Sequence, residues 1–152
     1  QGGRWIDLKI IKRTTMKLDV VVAGGVANLR QHVADFLNSI APYVLQGDAT
    51  VEVHLVTDRV MAKNVLSYQS PTHFPYPDRS SRMLGEIYLN PTFIKKHDQD
   101  FDLMLVHGFL HLFGYDHESE NDRLIMEQLE TKLLKTFFNR QKPQPHVTRS
   151  WS

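Results

Sequence analysis

Residues 106–117 read Val-His-Gly-Phe-Leu-His-Leu-Phe-Gly-Tyr-Asp-His, and the rest of the chain is organised to hold this stretch. Histidines stand at 107, 111 and 117, with a glycine at 114 between the second and the third. Residues four apart lie one above the other on the same face of an α-helix. His107 and His111 can therefore point at one ion. Gly114 suits the left-handed position that ends a helix, where a residue without Cβ carries no steric penalty. The chain can then turn back and deliver His117 to the same point. Three neutral imidazoles with a fourth position open form the ligand set of a catalytic rather than a structural zinc.

A pair of histidines four apart on a helix is commonly a coincidence, and a single buried histidine is commonly a hydrogen-bonded core residue. Here the third histidine follows a helix-ending glycine, and Leu105, Val106, Phe109, Leu110, Leu112 and Phe113 surround the first two. Unpartnered imidazoles in so apolar a setting would be costly, and a shared ion satisfies all three at once. The ligand layout is that of the metzincin proteases, which need Glu directly after the first His as general base. This chain has Gly108 in that place. The spacing thus predicts a peptidase-like metal site without the peptidase's proton acceptor.

The remaining composition sets bounds. A chain of 152 residues is expected to form one domain, here residues 1–139, large enough to bury a core without staples. The absence of cysteine excludes a disulfide framework and a thiolate metal site. No apolar run reaches the length that spans a bilayer, and no signal-peptide pattern is read at the start, Gln1-Gly2-Gly3 looking like a cloning remnant. A net charge of +1 argues neither for nor against a nucleic-acid partner.

Along the chain, Trp5–Ile11 reads as a first strand, and Gly24-Gly25 as a break. Val26, Leu29, Val33, Phe36, Leu37 and Ile40 recur at helical spacing, giving an amphipathic helix that ends near Pro42, with His32 on its exposed side. Thr50–Val56 alternates as a second strand. Thr57 caps a short helical turn over Asp58–Lys63, and Val65–Tyr68 follows as a short strand. Ser70–Arg82 is a proline-containing loop whose Arg79, Arg82, Phe74 and Tyr76 either touch an RNA or serve only a connection. Leu84–Leu89 is a strand, Asn90-Pro91 opens a short helix, and Asp100–Phe113 is the histidine-bearing helix. Ser119 caps a last helix with Leu124, Ile125, Leu129, Leu133, Phe137 and Phe138 as its apolar stripe. The tail 140–152, with Pro143 and Pro145, is expected to be disordered. The fold class is α+β: a single mixed sheet of about four strands with helices packed against it and the metal-binding helix in the core.

The run His107-Gly-Phe-Leu-His111-Leu-Phe-Gly-Tyr-Asp-His117 resembles the signature of the YbeY endoribonucleases, the bacterial ribosomal-RNA maturation factors. Asn64-Val-Leu-Ser-Tyr68 is similar to the family's Val-Leu-Ser-Phe segment, and Met83-Leu-Gly-Glu-Ile-Tyr-Leu89 to its Leu-Gly-Asp-Ile strand, in the family's order. The resemblance covers about residues 50–135 and implies a metal-dependent endoribonuclease that cuts single-stranded ribosomal RNA in ribosome maturation and quality control. It implies one Zn²⁺ on His107, His111 and His117 (nickel would also suit imidazoles), partners in the small ribosomal subunit including ribosomal proteins, no membrane, and the cytoplasm. His107 is also a candidate for a catalytic role beyond ligation.

The family places an arginine near the metal, where phosphodiester hydrolysis calls for a cation. Arg59 is the nearby candidate, with a spacing to Asn64 shorter than the family's, and Lys63 is a possible substitute. Lys63, Tyr68 and Glu86 stand where the family has Thr, Phe and Asp. Asp116 either fixes a ligand's tautomer or caps the turn, and no residue stands out as general base. Two other readings stay open: a non-catalytic zinc-containing ribosome-assembly factor, and a zinc peptidase, which Gly108 disfavours.

Overall fold

Strand β1, Leu18–Gly24, opens the described part of a computed structural model, which covers residues 16–71 and 82–141. The expected strand at Trp5–Ile11, the greater part of the 70–82 loop and the tail from residue 142 lie outside these residues, while residues 140 and 141, read as the start of that tail, continue the last helix. Helix α1 (Ala27–Ile40) continues through one tight turn at Ala41–Tyr43 into strand β2 (Ala49–Leu55). Strands β3 (Val65–Gln69) and β4 (Arg82–Leu89) follow, and then helices α2 (Pro91–Lys96), α3 (Phe101–His111) and α4 (Glu120–Gln141).

The strands form one mixed sheet in the order β1-β2-β4-β3, with β1–β2 and β2–β4 parallel and β3–β4 antiparallel. This is the expected α+β architecture of four strands under helices. Its first described strand, β1, is not the one read at Trp5–Ile11. The β-branched run Val20-Val21-Val22 was the available signal for it. The short helical turn expected after Thr57 is present as a single turn, Val60 and Met61 donating to the Thr57 carbonyl at 2.9 and 3.0 Å.

Alternation in β2 sends Val51 and Val53 into the core and Glu52 and His54 to the other face. Phe36, Leu37, Ile87, Phe109, Leu110 and Leu133 join them in one cluster between sheet and helices. Full burial of such a side chain contributes about 1.5–3 kcal/mol each. Leu124 and Phe138, expected on the core stripe of α4, are exposed, and Met126 takes a core place instead, because the stripe runs through 126, 129, 130 and 133. His32, expected to be exposed, is half-buried: its Nε2 lies 2.6 Å from Asp102 Oδ1 on α3, beside the ring of Phe137.

Two backbone features position the site. Gly85 has φ +145°, and a Cβ there would lie 2.1 Å from the Tyr68 carbonyl oxygen, so only glycine fits. It belongs to an irregularity at which β4 slips against β2: Thr50 pairs with Met83, but Val51 pairs with Gly85. Asn90, wholly buried, caps α2 by accepting from the Phe93 N–H at 3.0 Å. Its amide donates to Asp58 Oδ1 and the Met61 carbonyl at 2.7 and 2.8 Å, and its backbone N–H to the Asn64 carbonyl at 3.1 Å. The turn before β3 is thereby tied to the start of α2.

Candidate metal centre

Asp100 starts α3 by accepting from the N–H groups of Asp102 and Leu103, which relieves two of the donors that a helix start leaves unpaired. The helix then runs across the sheet and lies closest at Gly108. A Cβ there would meet Ile87 Cγ2, Ser67 Oγ and Val65 Cγ2, each at 3.0 Å. Ser67 Oγ donates to the Gly108 carbonyl at 2.8 Å, and the Gln69 side-chain amide to the His111 carbonyl at 2.8 Å. The residue after the first histidine therefore faces the sheet, with no room for a carboxylate.

With Gly108 inward, His107 and His111 fall on the flank of the helix. Gly114 adopts φ +94° past the helix end, as its position predicted, and the chain turns so that His117 reaches the pair. One nitrogen from each of the three imidazoles lies within 4.8 Å of the others. The Nε2 atoms of His107 and His111 are 3.1 Å apart. His107 and His111 are partly buried, and His117 is exposed.

Glu130, on α4, completes the arrangement and was not foreseen from the sequence. Its Oε2 lies 2.6 Å from His107 Nδ1, and its side chain is only 9% exposed. A carboxylate can only accept here, so the bond fixes the proton on Nδ1 and turns the lone pair of Nε2 toward the other two histidines. The signal available was positional: Glu130 stands among Met126, Leu129 and Leu133 on the buried stripe of α4, a place where an unpaired carboxylate would be costly. Asp116, the residue considered for this part, accepts instead from the Glu118 N–H at 3.3 Å and caps the turn.

Burial, and next the neighbouring His107, hold the His111 imidazole below its ordinary pKa, against an opposing backbone hydrogen bond at Tyr115. Both effects favour the neutral ring, the form that ligates metal. Converging nitrogens, a fixed tautomer and a disfavoured imidazolium fit the donor set of a divalent ion with nitrogen preference. Beside the histidines opens a cleft of about 560 Å³, which Lys63, Asn64, Ser67 and Gln69 also line. Arg59 lies exposed in the turn before it and is not among the cleft residues, whereas Lys63 is.

The fold and site define a class: an α+β protein with a helix-borne tri-histidine cluster at the edge of its sheet. A family model described as Endoribonuclease YbeY matches residues 22–138. The chain belongs to this family.

A protein of Leptospira biflexa named Endoribonuclease YbeY is 30% identical over 141 residues, covering 79% of this chain and 84% of that protein. One of the same name from Nitrobacter hamburgensis is 40% identical over 81 residues, 47% of this chain and 43% of that protein. The match to the Agrobacterium fabrum protein of that name is 38% over 89 residues and covers 50% of its length. The chain thus spans about half the length of several curated relatives it matches. The solution structure of a Thermotoga maritima protein has a TM-score of 0.50 at 19% identity, covering 86% of this chain and 99% of the other, and supports the fold.

Proposed function

We propose that this protein is a metal-dependent endoribonuclease acting on single-stranded RNA, with ribosomal RNA of the small subunit as its substrate and Zn²⁺ on His107, His111 and His117. One observation carries the reading: three imidazole nitrogens within 4.8 Å of one another, at the wall of a cleft that also presents a lysine. The bound ion would supply Lewis acidity and the acidification of water. The chain's own residues do the rest. Glu130 keeps the His107 proton on Nδ1, so that His107 has both nitrogens engaged and acts as ligand rather than proton carrier. Ser67 and Gln69 hold the α3 backbone to β3, which fixes the histidine-bearing helix against the strand that follows Lys63. Lys63, which lines the cleft, is the cation we assign to a phosphate, and Arg59, exposed in the preceding turn and not among the cleft residues, is the second candidate. Ribosomal-protein partners and a cytoplasmic location belong to the same reading; no helix among the described residues is long and apolar enough to cross a membrane.

The peptidase reading loses its support at Gly108, where the sheet leaves no space for the needed carboxylate. The assembly-factor reading, a zinc protein that binds RNA without cutting it, draws on one observation, the absence of Arg59 from the cleft wall. Cleavage of end-labelled single-stranded ribosomal RNA by zinc-loaded protein, beside identically purified His111→Ala, separates the readings. Cutting by the first alone supports the nuclease. Binding without cutting by zinc-loaded protein supports the assembly factor.

A further inference from the structure

The face of the sheet turned away from the helices carries a second group of potential ligands that the cleft does not use. Register places Glu52 of β2 beside Glu86 of β4, and His54 beside Tyr88. Like charges on directly neighbouring strand positions repel, so this pairing calls for a cation. The His54 ring stacks on Tyr88 with centroids 4.6 Å apart at 13°. Its Nε2 lies 3.4 Å from Glu52 Oε1 and 3.9 Å from Glu86 Oε1. That nitrogen is shielded from solvent and has no hydrogen-bond partner.

The simplest alternative is that a protonated His54 is itself the cation. The two other imidazole–carboxylate contacts among the described residues test that idea, because His32–Asp102 and His107–Glu130 both close to 2.6 Å. A charged N–H···O contact draws in to about 2.7–2.9 Å. The His54 separations do not. Two donors about 2.0–2.2 Å from one tetrahedral ion stand about 3.3–3.6 Å apart; the Glu52 separation of 3.4 Å falls in that range, and the Glu86 oxygen at 3.9 Å lies a few tenths of an ångström outside it. One atom from each of Glu52, His54 and Glu86 lies within 4.8 Å of the others. The Tyr88 hydroxyl donates to Glu86 Oε1 at 2.6 Å, the kind of outer bond that fixes a ligand carboxylate.

We propose that Glu52, His54 and Glu86 form a second divalent-metal site, separate from the tri-histidine cluster, which takes a transition ion such as Zn²⁺ through one imidazole nitrogen and two carboxylates. A mixed nitrogen–oxygen set of this kind suits zinc or manganese. The proposal does not depend on the nuclease reading.

The test is zinc stoichiometry on the full chain, stripped by chelator and titrated with Zn²⁺ against a chromophoric competitor. Wild type is expected to take two equivalents, His54→Ala and His111→Ala one each, and the double variant none. Glu52→Gln and Glu86→Gln preserve side-chain shape and the stacking of His54, so they report on ligation even where His54→Ala disturbs folding. Each is expected to weaken the second equivalent at least tenfold and leave the first unchanged. A single equivalent in wild type, abolished by His111→Ala and untouched by both glutamine variants, overturns the proposal. Two equivalents that both survive Glu52→Gln and Glu86→Gln overturn it as well.

Discussion

The two clusters around His111 and His54 are built by different rules. The first takes two of its three members from one helix, where a spacing of four fixes their common direction, and the third from just past the helix end. The second is assembled across two strands, and only their register brings its members together. The helix cluster is therefore written in a dozen consecutive residues. The strand cluster is invisible there, because Glu52 and Glu86 become neighbours only after β2 and β4 have paired. The difference teaches that a local spacing advertises a site, and a register conceals one.

The largest expected effect falls on the helix cluster. His111→Ala should abolish RNA cleavage and remove one bound zinc while leaving the sheet face intact, measured by gel assay and metal analysis; full activity in that variant would break the link between site and function. Next comes the residue that joins α4 to that cluster. Glu130→Gln should weaken zinc at the tri-histidine site by about 10–100-fold, as loss of an outer carboxylate usually does. Competition with a chelator measures this, and a ¹⁵N spectrum of His107 should show the loss of a single fixed tautomer.

Gly85→Ala should act on the other side of the comparison. Forcing a Cβ against the Tyr68 carbonyl is expected to cost about 1–3 kcal/mol in urea denaturation, and the shift in β4 should disturb Glu86 more than His111. Equal zinc binding at both clusters in this variant would show that register tolerates the slip.

The smallest effect is a pH dependence. Burial, then His107, hold His111 below the ordinary imidazole value. Its neutral form thus contributes stability that is complete above about pH 6.5, declines as pH falls toward the lower folded value, and is gone below it. Metal-free wild type should lose more stability between pH 8 and 5 than His111→Gln, by urea midpoints; parallel curves would remove His111 from the account.

The same contrast explains what could be read in advance. Strands β2, β3 and β4, α1, the cap at Asn90 and the helix end at Gly114 all rest on local periodicity or turn chemistry, and the structure has them where expected. Strand β1 escaped because its signal was β-branched composition, three valines before two glycines, without the alternation that marked the other strands. Glu130 and the pairing of His32 with Asp102 escaped for the reason the strand cluster did: each partner lies on another element. The exposed Leu124 and Phe138 show the limit of reading a stripe by hydrophobicity alone, since the true buried face of α4 includes a glutamate.

Asn90 has a consequence beyond its helix cap. Its side chain and backbone join the Asp58–Met61 turn, the Asn64 carbonyl and the first turn of α2. Those segments can open to solvent only as one cooperative unit. The segment that carries Lys63 thus inherits its stiffness from a residue that does not line the cleft and reaches it only through the Asn64 carbonyl. In amide exchange, Met61 and Phe93 would lose protection together, at a free energy set by the docking of α2 and not by anything bound beside it.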